Sequence, residues 1–414
     1  MAADKAAMVE IAVVDDATHG RQLMHRRSAA TLVALALALG GCTRAGEPGR
    51  RGTVPNPRET AAMTNTLSGS WTKPLDGYVV VHLAGAGEGA ILGGRVGDVP
   101  ELRAVDAALR MTPLPAIPPP SHEGAWTNLG PVDPHVAVDP ADPSRVVTNR
   151  GESQGGSWGL AFSPRLLEGR WEEIESPTEA DIGFGVPLIL RGDEIFSLEG
   201  PGGVGGRLWR FERGPTGWRG RTLALPQGER VDLGWGLALS DDGSRLVVVA
   251  AREDGPRELQ VFERDQSGAL GHARSLSIPA EPHGVGFLGP HLALGFIRPT
   301  EHGHGVWVMD VTSGAVLRRL PVPADESNGT LVQDLRVAED RLLVSQLDRV
   351  LVFDPSDGRL QCVLGTPARD DGRHTYPVAA RAGERVFVSA QCARGPGGEE
   401  RSRVGVFELS ACGQ

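Results

Sequence analysis

Residues 350–365 read VLVFDPSDGRLQCVLG. A short apolar strand ends on a Phe–acidic pair, an Asp-Gly turn follows, and a second strand begins. The same form, apolar-x-x-(Phe/Met)-acidic, recurs as LWRFE ending at Glu212, LQVFE at Glu263, VWVMD at Asp310 and VGVFE at Glu408. Weaker copies are WGLAFS, with Phe162 in register, and LRAVD, with Val105 in register. The register positions Val105, Phe162, Phe211, Phe262, Met309, Phe353 and Phe407 are spaced by 57, 49, 51, 47, 44 and 54 residues. Upstream lie hairpins such as VAVDPADPSRVVT (136–148), LALSDDGSRLVVV (237–249), LRVAEDRLLVS (335–345) and VAARAGERVFVS (378–389). Asp-Gly, Gly-Glu and Pro-Ala-Asp-Pro punctuate their period-two strands, as hairpin turns require.

Four short strands at this period predict an all-β chain folded as a β-propeller. One four-stranded sheet cannot bury both faces, so stacking sheets radially lets each blade cover its neighbour. The count predicts seven blades, with six as the alternative if the irregular N-terminal segment stands apart. The seventh blade lacks an outer strand, because the chain ends soon after Phe407. A strand from about residues 64–72 is expected to fill that place and close the ring. The copies resemble YVTN- and WD-repeat propellers, in which a strand ends aromatic-Asp and a Gly turn follows, although the WD Gly-His pairs are absent from their usual position. The segment PHVAVDPADPSRVV also resembles BNR/sialidase-type repeats. These resemblances cover residues 76 to about 410 and imply a fold. YVTN-type propellers resemble lactonases in fold, which adds an activity only by analogy.

The stretch MHRRSAATLVALALALGGC (24–42) has a different origin. Arg26 and Arg27 open it, Ala29 to Leu39 are apolar, and LGGC closes it. Eleven residues at about 1.5 Å rise are too short for a core of about 30 Å, so a secretory signal is the natural reading. The ending resembles a bacterial lipobox, which implies cleavage before Cys42 and a diacylglycerol on its thiol. Thr43 in place of Asp favours outer-membrane delivery. Residues 1–23 put acidic side chains ahead of a signal that should begin cationic, so Met24 is expected to be the initiator. The expected organisation is 1–23 as upstream sequence, 24–41 as signal, 42–75 as a flexible tether, and 76–414 as the propeller.

The chain carries a net charge of −10, and charges before Cys42 cancel, so the processed form keeps it. An acidic surface argues against nucleic acid or anionic lipid as partner. Sparse aromatics and abundant Gly suit short strands joined by tight turns. Beyond Cys42 stand Cys362, Cys392 and Cys412, an odd number that leaves one bridge with one free thiol, or none. Cys392–Cys412 is the expected pair because both fall in the last repeat. No CxxC or His/Cys spacing indicates a metal, and no cofactor motif occurs.

Propeller topology places the blade entries and the second-to-third-strand loops on one face. An acidic residue recurs at each entry, and an aromatic or His follows in all but the sixth. The pairs are Asp76/Tyr78, Asp133/His135, Asp181/Phe184, Asp232/Trp235, Glu281/His283, then Asp334 alone, then His374 and Tyr376 in DDGRHTYPV. For any single position, a solvated turn acid and an aromatic packed between blades is the simpler account. Convergence of the set on one channel mouth is what makes a site. A ring of carboxylates repels itself, so some should have raised pKa values or share a cation. EHGHG (301–305) has two His two apart, for which a solvated Gly-rich turn is the simpler account; ESQGGSW (152–158) is similar to a sialidase Asp-box without its Asp.

Two functions are expected from these features. The first is a monomeric, non-enzymatic binding or scaffold lipoprotein of the outer membrane, presenting this face to a protein, peptide or glycan. The alternative is a small-molecule hydrolase or lactonase-like enzyme using His135, His283 or His374 with entry carboxylates.

Overall fold

The computed structural model describes residues 65–97, 99–118, 134–150, 152–153, 156–157, 159–175, 184–199, 205–226, 228, 231–252, 255–298, 305–323, 332–338, 341–369, 374–394 and 400–412. All belong to a compact unit spanning Pro57–Gln414. Cys42 and the signal lie outside the described residues.

Seven four-stranded antiparallel blades follow one another along the chain. Their inner strands are Tyr78–Ala86, Val136–Asp139, Phe184–Arg191, Val231–Leu239, Gly284–Leu288, Asp334–Ala338 and Val378–Ala382. Each packs on the next, and the seventh packs back on the first, so the ring is closed. The last blade takes its outer strand from the N-terminal side: Ser70–Trp71 pairs antiparallel with Glu400–Glu408. Asn65–Leu67, just before it, adds a fifth, parallel strand to the edge of blade six.

The period-two pattern explains how one strand serves two interfaces. On Arg349–Phe353, Leu351 and Phe353 face blade five while Val350 and Val352 face blade seven. Seven hydrophobic clusters result, one between each neighbouring pair of blades. The repeat's aromatic position fills the interface with the preceding blade, as Phe262, Met309, Phe353 and Phe407 show. Phe162 is the exception. It joins the cluster with the following blade, and Ser163 pairs with Val146 and takes the repeat position. The weak copy WGLAFS is therefore one residue out of register.

The acidic end of the motif builds the turn that follows. Asp310 and Asp354 accept backbone N–H bonds from residues two or three ahead, closing the third-to-fourth-strand hairpin; in LQVFERD the same bonds go to Asp265, two residues beyond the motif's Glu263. Glycine has a second use near the axis. A Cβ at Gly85 would overlap the carbonyl oxygen of Arg381, and one at Gly284 would lie 2.6 Å from the backbone nitrogen of Leu335. Neighbouring inner strands approach that closely because no side chain stands between them.

One expectation needs correction. The bridge is Cys362–Cys412, with Cα atoms 5.3 Å apart, and not Cys392–Cys412. After Glu408 the chain enters a short turn, Leu409–Ala411, that leaves the plane of the last blade. Leu409 and Cys412 thereby reach the interface between blades six and seven, which Cys362 faces from the outer strand of blade six. The side chain of Cys392 lies outside the described residues.

Candidate functional site at the channel mouth

Inner strands all start at the same end of the ring, so the blade entries gather around the central channel. Asp133 and Asp181 lie outside the described residues, as do the side chains of Phe184 and Trp235 and residues 301–304 of EHGHG. Tyr78 is core: it is fully buried, its hydroxyl donates to the carbonyls of Leu92 and Glu101, and Arg103 stacks on its ring at 4.0 Å. Burial pushes its phenol well above the usual range. Asp76 extends into solvent, 3.7 Å from Arg401.

The remaining entry residues fall into three groups. His135, His283 and Asp334 approach the channel. Asp334 accepts from Arg336 Nε at 2.9 Å, and Arg336 Nη2 reaches His82 Nε2 at 3.3 Å. The His82 ring lies 5.0 Å from that of His135, whose backbone N–H donates to Asn149 Oδ1 at 2.7 Å. His283 and Asp334 border a cavity of about 440 Å³ walled by Ile189, Leu237, Val285 and Val337. Arg336 and His82 border a second cavity of about 510 Å³. A polar line thus crosses an apolar channel, from Asp334 through Arg336 and His82 to His135.

Asp232 and Glu281 form a clamp. Arg257 pairs with both carboxylates at 2.9 Å and also donates to the Asp232 carbonyl. Asp232 and Glu281 thus share one cation, an arginine of blade four that reaches across to the entry of blade five. His374 and Tyr376 form a rim patch at the seam of blades six and seven. His374 Nδ1 lies 2.7 Å from Asp348 Oδ2, and the Tyr376 ring stands edge-on to the imidazole at 6.1 Å. Tyr376 is 45% exposed with a φ of 43°, a left-handed backbone that is unusual for a bulky residue.

Electrostatics keep the channel histidines neutral. Burial, then the Arg336 charge, lowers His135 to about 4. Burial, then Arg336, then His135 depress His82 well below its ordinary value. Partial desolvation at the mouth also lowers His283, although its side chain stays exposed, against the opposing pull of Glu281 and Asp334. Among the described residues, no three His, Cys, Asp or Glu side chains converge as a metal set. The mouth offers neutral imidazoles, a guanidinium and paired carboxylates over apolar walls, a surface suited to holding polar groups of a ligand.

Four further residues contribute: His82, Arg257, Arg336 and Asp348. Arg336 and His82 interrupt the apolar inner strands DLRVA and YVVVHLAG, and a charged or imidazole side chain there must face the axis. That signal was present. His82 is harder to place, because a register shift between Val80 and His82 breaks the alternation.

No family model matches the chain. No curated protein matches it either. Solved structures do. A prolyl endopeptidase superposes with a TM-score of 0.51 at 15% identity, over 80% of this chain and 47% of that one. The WD40 repeats of RRP9 give 0.52 at 9%, over 81% and 97%. A puromycin hydrolase gives 0.52 at 15%, over 84% and 57%. The chain thus spans about half the length of the two hydrolases. At these identities the likeness establishes the fold: a seven-bladed β-propeller similar to WD40-repeat propellers.

Proposed function

We propose that this chain is a binding or scaffold lipoprotein: a propeller anchored to the outer membrane through Cys42, presenting its channel mouth to a protein, peptide or glycan. The observation that carries this reading is the convergence of His283, Asp334, Arg336 and His82, from three blades, on one channel, with His135 packed behind His82. The lipobox-like LGGC supports the anchor. Capture of envelope components on the immobilised acylated protein tests it. His283→Ala and Asp334→Asn should reduce capture while an outer hairpin change, Arg165→Gln, leaves it unchanged; equal capture by all of them sinks the reading. Cys42→Ser should leave a longer, signal-bearing form, and normal processing of that variant would refute the anchor.

A hydrolase is the second reading. His374 paired with Asp348 on the rim, beside Tyr376, has the form of a carboxylate-oriented base. Similarity to a puromycin hydrolase and a prolyl endopeptidase supports the choice of substrates, although it covers only about half of each. An esterase, lactonase and aminopeptidase panel should then show turnover that His374→Ala abolishes, and no turnover above a buffer blank rejects this reading.

A further inference from the structure

His82 faces two donors. The backbone N–H of Val136 donates to Nδ1 at 3.4 Å, and Arg336 Nη2 lies 3.3 Å from Nε2. A neutral imidazole carries one N–H and one lone pair, so it can accept only one of these. Val136 is 2% exposed, and a buried amide left without an acceptor is destabilising. The lower-cost tautomer therefore keeps the Nδ1 lone pair on Val136 and puts the proton on Nε2. That turns the Nε2–H toward Arg336, donor against donor.

Arg336 has latitude that Val136 lacks. Its side chain is 42% exposed, and Asp334 secures only the Nε edge. Both donors border the cavity of about 510 Å³, whose walls around them are apolar (Val136, Val138, Ile189), with Arg191, Asp241 and Arg381 farther along the inner strands. That volume lies in the range of small-ligand sites. One oxygen about 2.8 Å from each nitrogen closes a triangle on the 3.3 Å separation and satisfies both donors. An anionic oxygen gains most, because one donor is charged.

On the reading that the channel is the ligand site, we propose that it binds a carboxylate on an apolar body, with one carboxylate oxygen bridging His82 Nε2–H and Arg336 Nη2. The body lies along the apolar inner strands. The donor is either the C-terminus of an apolar peptide or a free carboxylic acid, and the two share this chemistry. Because Asp334 offsets the Arg336 charge, recognition comes from two directed hydrogen bonds more than from net attraction.

Titration calorimetry on the full processed chain tests this with four probes: 3-phenylpropionate, 3-phenylpropionamide, and acetyl-Ala-Val-Leu with a free or amidated C-terminus. The acids should bind roughly tenfold or more tightly than their amides. Whichever acid binds better identifies the source. Arg336→Gln and His82→Leu should each remove the acid preference, and Arg165→Gln should preserve it. The acid–amide comparison on unaltered protein stands even if a variant misfolds. Equal binding of acid and amide, or no acid binding up to about 10 mM, overturns the proposal, the second result meaning that water alone bridges the donors. If the acids fail while His283→Ala still reduces envelope capture, only the carboxylate assignment falls. If capture is also indifferent to His283, the channel-mouth reading falls with it.

Discussion

His82 and His135 are held neutral by their surroundings, and that state has a cost in acid. Unfolded, each takes its proton near the ordinary histidine value of about 6.5. Folded, His135 waits until about 4 and His82 until well below its ordinary value. Between those limits the unfolded chain binds more protons, so folding stability must fall as pH drops from about 6.5 toward 4. His283, also lowered, acts in the same direction. Depressed carboxylates such as Asp242, held near 2 by hydrogen bonds from Ser240 and Ser244, lose their contribution only below the usual aspartate range. A thermal melt series from pH 7.5 to 4.5 should therefore show a falling midpoint. A variant with both His82 and His135 changed to Gln should flatten that fall, and an unchanged slope would mean the imidazoles already titrate normally in the fold.

At the scale of strands and turns, the repeat motif has a division of labour. Its aromatic fills an interface, and its acid closes the next hairpin where it is Asp310 or Asp354 and pairs with neighbouring arginines where it is Glu212, Glu263 or Glu408, so neither is a site residue. Phe262→Ala or Phe353→Ala should cost about 3–5 kcal/mol in chemical denaturation. His283→Ala, on an exposed entry, should cost well under 1 kcal/mol. Comparable losses for the two classes would put His283 in the core. The Cys362–Cys412 bridge joins residues 50 apart, across two blades. Reduction, or Cys412→Ser, should lower stability by about 2–4 kcal/mol, and no change in midpoint would mean that the blade interface alone holds the C-terminus. The repeat was legible because alternation and turn chemistry are local. The bridge was not, because a three-residue turn after Glu408 redirected the chain by tertiary packing of Leu409. Phe162 misled for a related reason: an aromatic one position early imitates the repeat, and only parity against Val147 reveals the slip.

For the molecule as a whole, closure decides how the faces are used. Ser70–Trp71 completes the last blade and Asn65–Leu67 edges the sixth, so this part of the chain lies on the outer strands, away from the channel. The entry positions were readable as a set, since topology sends every inner-strand start to one end. Their grouping was not: Arg257 draws Asp232 and Glu281 into a clamp, while Arg336 and His82 carry the polar line across the channel. Arg257 joins its own blade to the next, whereas Arg336 and His82 lie 254 residues apart, and only the closed ring brings that pair within reach. The central claim is that this end of the channel is the binding face, and hydrogen exchange read by mass spectrometry tests it most directly. With captured ligand, protection should concentrate in residues 281–285, 334–337 and 82–84, leaving the third-to-fourth-strand hairpins unchanged. Protection confined to those hairpins or to the outer strands, with the entries exchanging as before, would contradict it.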